Sequence, residues 1–176
     1  SLALNKNPSA FIYQPRTHSH CGHALNDARF AALAEILRES NTLIIEDDGI
    51  GQLSAYPPVS MGSVLPDRTV HVRSYSKAYG PDLRLAVLSG SEDLVNEIKS
   101  FRNFGAGWSS RILQQALAWL INDAKTQAGI THAKAVYAER RKAMSDALRI
   151  RGVNIPERDG LAIWIPVPSE QFALVT

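Results

Sequence analysis

The sequence predicts an α/β fold, and three features carry that expectation. Residues 42–45 (Thr-Leu-Ile-Ile) form a continuous apolar run, the pattern of a buried parallel strand. A helix-spaced apolar set, Phe30, Leu33, Ala34 and Leu37, lies just before it. After Ser91 helices take over, and a strand returns only behind a long helix, which implies a change of layer near the end.

The elements follow in order. Residues 10–13 (Ala-Phe-Ile-Tyr) make a short strand closed by Pro15. Residues 16–23 form a polar loop with three histidines and Gly22. Asn26 is a suitable N-cap for a helix over 27–39. The buried strand at 42–45 ends in the acids Glu46, Asp47 and Asp48, and residues 49–67 are a loop rich in Gly, Pro and Ser. Residues 70–75 and 85–88 are further strands, the second ending at Ser89 and Gly90. Ser91 caps a helix through about Arg102. A second helix includes residues 114–120 and is entered from the turn at 105–107. A third runs from about Thr131 to Arg149, with Val136, Met144 and Leu148 on its buried side and Gly152 ending it. Residues 161–167 form a last strand centred on Ala162, Ile163, Trp164 and Ile165.

Composition narrows the function classes. The chain has 176 residues and is 45% hydrophobic, enough for a real core. No apolar run approaches the ~20 residues that span a bilayer, and no leader-like apolar stretch opens the chain. A single Cys21 allows no internal disulfide and fits a cytoplasmic protein. Net charge is +2 with both signs interspersed, so charge alone points to no nucleic acid. His18, His20 and His23 beside Cys21 lack a second ligand cluster, so no metal is expected. The chain opens on Ser1 and ends in Leu174, Val175 and Thr176 without a helix stop signal, which gives the expectation of a fragment.

The chemistry concentrates in residues 74–84, Ser-Tyr-Ser-Lys-Ala-Tyr-Gly-Pro-Asp-Leu-Arg. Lys77 follows the C-terminal end of a strand, where open α/β sheets place their sites. A lysine that bonds an aldehyde needs a pocket that keeps it partly neutral, and cationic neighbours favour that state. Seven residues on, Arg84 offers a charged fork suited to a phosphate dianion. The Ser74 and Ser76 hydroxyls can donate to the same phosphate, although each serine alone also suits a turn. Asp47 is preferred over Asp48 as the carboxylate that keeps a ring nitrogen protonated, because it continues the strand. An aldehyde, a phosphate and a pyridine nitrogen are the features of pyridoxal 5'-phosphate (PLP).

The segments at 42–51, 73–90 and 137–153 resemble the fold of class I/II PLP-dependent aminotransferases. They look most like the aminotransferase-like domain of MocR-type (GntR-family) transcription regulators, which join it to an N-terminal winged helix-turn-helix. The resemblance runs from about Ser9 to the end. It implies a three-layer PLP-dependent transferase-like large domain, present as its second half, with the start of the small α+β domain. Residues 1–125 would be the C-terminal half of the large domain, and residues 126–176 the connecting helix and the start of the small one. It also implies Lys77 as the catalytic, Schiff-base lysine, Arg84 and Ser74 as phosphate ligands with Ser76 a weaker one, and Asp47 as partner of the ring nitrogen. Pro15, Gly22 and Arg29 keep the family frame.

Two departures stand out. Ser19 aligns with the asparagine that bonds the cofactor's phenolic oxygen. Gly49 and Ile50 stand where many members have a tyrosine on the same oxygen. Those bonds tune the electron sink, so their loss should weaken catalysis more than binding. His18 and His20 are alternative donors there, and solvated loop histidines the plainer option. The resemblance further implies a homodimer, with Phe104, Trp108 and Trp119 as contact surface or as core, and DNA bound only through a region outside this chain. Two functions follow: a PLP-binding effector domain of a transcriptional regulator, with PLP or an amine adduct of it as the signal, or a working aminotransferase acting on an amino acid.

Overall fold

The computed structural model describes residues 4–173. The chain ends behind the fragment expectation, Ser1 and Leu174–Thr176, lie outside the described residues. A four-stranded sheet in the order β1-β2-β3-β4 organises the fold. Its strands are β1 (Ala10–Tyr13), β2 (Leu43–Asp48), β3 (Thr69–Ser74) and β4 (Ala86–Ser89). The first three run parallel, and β4 pairs antiparallel with β3.

The helices are α1 (Asp27–Arg38), α2 (Ser76–Tyr79), α3 (Glu92–Arg102), α4 (Arg111–Asn122), α5 (Ala124–Ile150) and α6 (Glu170–Ala173). Helix α1 starts where expected: the Asn26 side chain accepts from the Arg29 amide, satisfying one of the free N–H groups of the first turn. Its buried Ala34 and Leu37 pack with Ile44 and Met61, flanked by Phe11, Tyr13, Phe30 and Leu33. This is the main core, and it covers one face of the sheet. A second cluster joins Ile50, Leu53 and Ile130 to Ala78 and Tyr79, and so ties α5 to the residues around α2.

Four expectations need correction. Strand β2 does not stop before the acids but carries them through to Asp48. Helix α5 begins at Ala124, seven residues before Thr131, because Asp123 caps it by accepting from the Thr126 amide. Gly129 does not break it: the buried Ile130 anchors that turn against Ile50 and Leu53. Met144 is not on a buried side of α5 but 54% exposed. Residues 161–167 form no strand and pair with none of the four described strands, and Trp164 is left 61% exposed.

Candidate functional site

Parallel pairing brings the C-terminal ends of β1, β2 and β3 to one edge of the sheet. Asp48 sits opposite Arg73, and Asp47 opposite Val72. Ser74 ends β3 at this edge, and its partner Ala86 opens the antiparallel β4. Arg84 lies two residues before Ala86, so it arrives at the same edge as Ser74. Lys77 lies between them in the short helix α2. Of the predicted residues, Asp47, Ser74, Ser76, Lys77 and Arg84 thus share one sheet edge. Strand alternation also puts Asp47 and Ser74 on the same face.

The cations at this edge are uncommitted. Lys77 and Arg84 are exposed, and among the described residues neither side chain has a hydrogen bond or ion pair. Arg84 adopts φ 46 and ψ 36, a left-handed backbone that an L side chain holds only against strain. The Ser76 amide donates to Ser74 Oγ at 3.4 Å, so Ser74 heads the turn into α2. Tyr79, at the far end of α2, accepts from Gln52 Nε2 at 2.6 Å and Gln127 Nε2 at 3.1 Å. Gln127 belongs to α5, so that long helix helps to hold the Lys77 segment.

Asp47 is half-buried and receives Gln14 Nε2 on Oδ2 at 2.7 Å. Its other oxygen, Oδ1, has no hydrogen-bond partner among the described residues. Gly49 gives the carboxylate room, for a Cβ there would lie 3.3 Å from Oδ1. Ser19 joins the site indirectly: its amide and hydroxyl donate to Gln14 Oε1 at 2.7 and 3.0 Å. His18 turns inward on its own loop, where Nδ1 accepts from the His20 and Cys21 amides at 3.3 Å. His20 Nδ1 lies 3.3 Å from Ser19 Oγ.

On the opposite face of β2, Glu46 and Asp48 form a buried charge network that the sequence did not disclose. Glu46 is fully buried and accepts from Tyr13 Oη and Ser60 Oγ at 2.5 Å, the Met61 amide at 2.6 Å and His71 Nδ1 at 2.8 Å. Arg16 grips Asp48 with two bonds, at 2.9 and 2.7 Å. His71 Nε2 stands 3.7 Å from Asp48, close enough to act as a charge. Burial pushes the Glu46 carboxyl up, but bonds from His71, Ser60, Tyr13 and Met61 outweigh it and the net shift is down. Burial likewise opposes ionisation of Asp48, yet His71 and Arg16 hold it well below the carboxylate range. The two carboxylates, Asp48 and Glu46, raise His71 to about 9, so it carries a proton at neutral pH. Burial and the bond to Glu46 push the Tyr13 phenol well above its ordinary value. The register Glu46–His71 and the bond to Tyr13 come from strand pairing, which the bare run of acids did not reveal.

The donor set at the open edge fits PLP. Two unpaired cations and two hydroxyls suit an aldehyde and a phosphate dianion, and the free Asp47 Oδ1 suits a protonated ring nitrogen.

Known proteins agree with the fold. The sequence profile of the class I and II aminotransferases matches residues 2–174. The chain is 33% identical over 175 residues to the vitamin B6 salvage pathway transcriptional repressor PtsJ of Salmonella typhimurium, covering 97% of this chain and 40% of that protein. It is 28% identical over 146 residues to the HTH-type transcriptional regulator TauR of Rhodobacter capsulatus, covering 80% of this chain and 30% of that one. Among solved structures, aspartate aminotransferase from Thermus thermophilus superposes with a TM-score of 0.79 at 19% identity, covering 87% of this chain and 41% of the enzyme. The chain therefore spans about 40% or less of the length of these relatives. With its profile matched almost end to end, this chain belongs to the class I and II aminotransferase family.

Proposed function

We infer that this chain is the PLP-holding core of an aminotransferase-like effector domain in a transcriptional regulator. The observation that carries it is the gathering of Lys77, Arg84 and Asp47 at one sheet edge, with both cations unpaired. Similarity to PtsJ over 97% of the chain supports the regulator rather than the enzyme. Residues 1–125 would be the second half of the large domain, and residues 126–176 the connecting helix and the start of the small domain.

In this reading the cofactor supplies an aldehyde and an electron-withdrawing ring. Lys77 presents the amine that holds the aldehyde. Arg84 and the Ser74 hydroxyl bind the phosphate, with Ser76 at the first turn of α2 as a further donor. Asp47 holds a proton on the ring nitrogen through its free oxygen. Ser19 does not stand in for the family's asparagine, because both its donors are spent on Gln14. PLP or an amine adduct of it would bias the domain between two arrangements and so alter DNA binding elsewhere in the protein. A homodimer working in the cytoplasm fits that role. Phe104, Trp108 and Trp119 are its contact candidates, and Trp108 is 83% exposed in the single chain.

The test uses the full-length protein. Mixing it with PLP should give an absorbance band between roughly 330 and 430 nm that Lys77→Ala abolishes. PLP should then change the protein's affinity for DNA without turnover of amino acids. A Lys77-dependent band with steady conversion of an amino acid and no effect on DNA would make the protein an aminotransferase instead. No Lys77-dependent band would overturn the site.

A further inference from the structure

We propose that Gln14 is the positioning residue for Asp47, and that it does the orienting work which a direct cofactor contact from Ser19 would otherwise be assigned. The inference rests on the PLP site described above. Gln14 is the first residue after β1, at the edge where Asp47 emerges from β2. Its side chain is used at both ends. Nε2 donates to Asp47 Oδ2 at 2.7 Å, and Oε1 accepts from the Ser19 amide at 2.7 Å and the Ser19 hydroxyl at 3.0 Å.

Chemistry fixes which end is which. A backbone N–H can only donate, so the atom facing Ser19 must be the oxygen. The amide nitrogen then faces Asp47, where an ionised carboxylate can only accept. Gln14 therefore cannot flip without breaking bonds at both ends. The result is a carboxylate with one oxygen tethered and one free. The tether fixes the plane of the group, and the free Oδ1 is the atom left for a protonated ring nitrogen. Gly49 completes the arrangement, since a Cβ there would press on Oδ1 from 3.3 Å. The Ser19 loop thus acts on the site through Gln14 rather than by touching the cofactor.

The experiment titrates full-length protein with two ligands, reading the Lys77-dependent band. One ligand is PLP, and the other is the PLP analogue with C–H in place of the ring nitrogen. Gln14→Met keeps the side-chain length and loses the amide; Gln14→Asn keeps the amide but falls short. Either variant should weaken PLP by about tenfold, as removal of a ligand-orienting partner does at other sites. The analogue, which has no charge for Asp47 to hold, should bind each variant as it binds the wild type. In the background of Asp47→Asn, changing Gln14 should cost nothing more. Equal weakening of both ligands, no weakening of either, or additive losses with Asp47→Asn would overturn the inference. If Gln14→Met fails to fold by circular dichroism, Gln14→Asn decides. A wild type without the band would defeat the site itself, whereas a normal band indifferent to Gln14 would defeat only this inference.

Discussion

Arg84 shows how one residue can set stability against binding. It is not glycine, yet it holds a left-handed backbone at φ 46 just before β4. Such a conformation costs an L residue roughly 1–2 kcal/mol. Its side chain forms no hydrogen bond or ion pair among the described residues, so nothing there offsets the strain. The cost makes sense if the guanidinium is placed for a ligand. Two substitutions separate the parts. Arg84→Ala keeps the strain and loses the charge, while Arg84→Gly relieves the strain and loses the same charge. We expect Arg84→Gly to be more stable than Arg84→Ala by about 1 kcal/mol in denaturant melts. Both should lose PLP binding to a similar degree. If the two variants melt alike, the left-handed backbone is not strained. If both retain wild-type PLP affinity, Arg84 is not a phosphate ligand.

Between elements, the buried network joining β1, β2 and β3 makes stability depend on pH. His71 of β3 is raised from 6.5 to about 9 by Asp48 and Glu46, both on β2. A raised folded value means the native state binds the proton more tightly than the unfolded chain does. The stabilisation is complete below about pH 6.5 and is lost as pH rises through about 9. Thermal melts from pH 6 to pH 10 should fall across that window, and His71→Gln should flatten the fall. An unchanged slope in His71→Gln would place the titration elsewhere. This network also marks the limit of what the sequence discloses about elements. The apolar run before Glu46, the N-cap Asn26 and the apolar spacing of α1 were all legible, because each is a local pattern. The role of the acids was not. Alternation along β2 sends Glu46 and Asp48 to one face and Asp47 to the other; only strand pairing shows that Tyr13 and His71 flank Glu46, and only the folded loop after β1 brings Arg16 to Asp48. Lys77 and Arg84 were legible as a pair because their spacing is local, while Gln14 escaped notice because its partner lies 33 residues away. The expected strand at 161–167 failed for the converse reason: its composition suits a strand locally, but strand formation is settled by pairing, and the segment joins none of the four described strands.

At the scale of the molecule, the segment after α5 folds back onto the loop after β1, and one aspartate fastens it. Asp159 Oδ2 accepts from the Thr17 hydroxyl at 2.6 Å and from the Ala55 amide at 2.7 Å. Arg141 of α5 lies 3.5 Å from the other carboxylate oxygen and donates to the Gly160 carbonyl at 2.7 Å. The backbones meet so closely that a Cβ at Gly22 would stand 2.1 Å from the Asp159 carbonyl oxygen. Burial pushes the Asp159 carboxyl up, but Thr17, the Ala55 and Gly160 amides and Arg141 outweigh it and bring it below its ordinary 3.8. Its contribution is therefore present above about pH 3.8 and is lost as pH falls through the folded value. A hydrogen bond to a charged group is worth about 1.5–3 kcal/mol, so removing it should open the contact locally by tenfold or more. Asp159→Ala should accelerate hydrogen exchange at the Ala55 amide by about that factor, while the β2 amide of Ile45 keeps its protection. Lowering the pH of the wild type below the Asp159 transition should reproduce the effect at Ala55. Equal acceleration at Ala55 and Ile45 would mean that the aspartate supports the whole fold rather than this junction. Retention of both rates would mean that the close approach at Gly22, with Arg141 on the Gly160 carbonyl, suffices to hold the segment that links α5 back to the site loop.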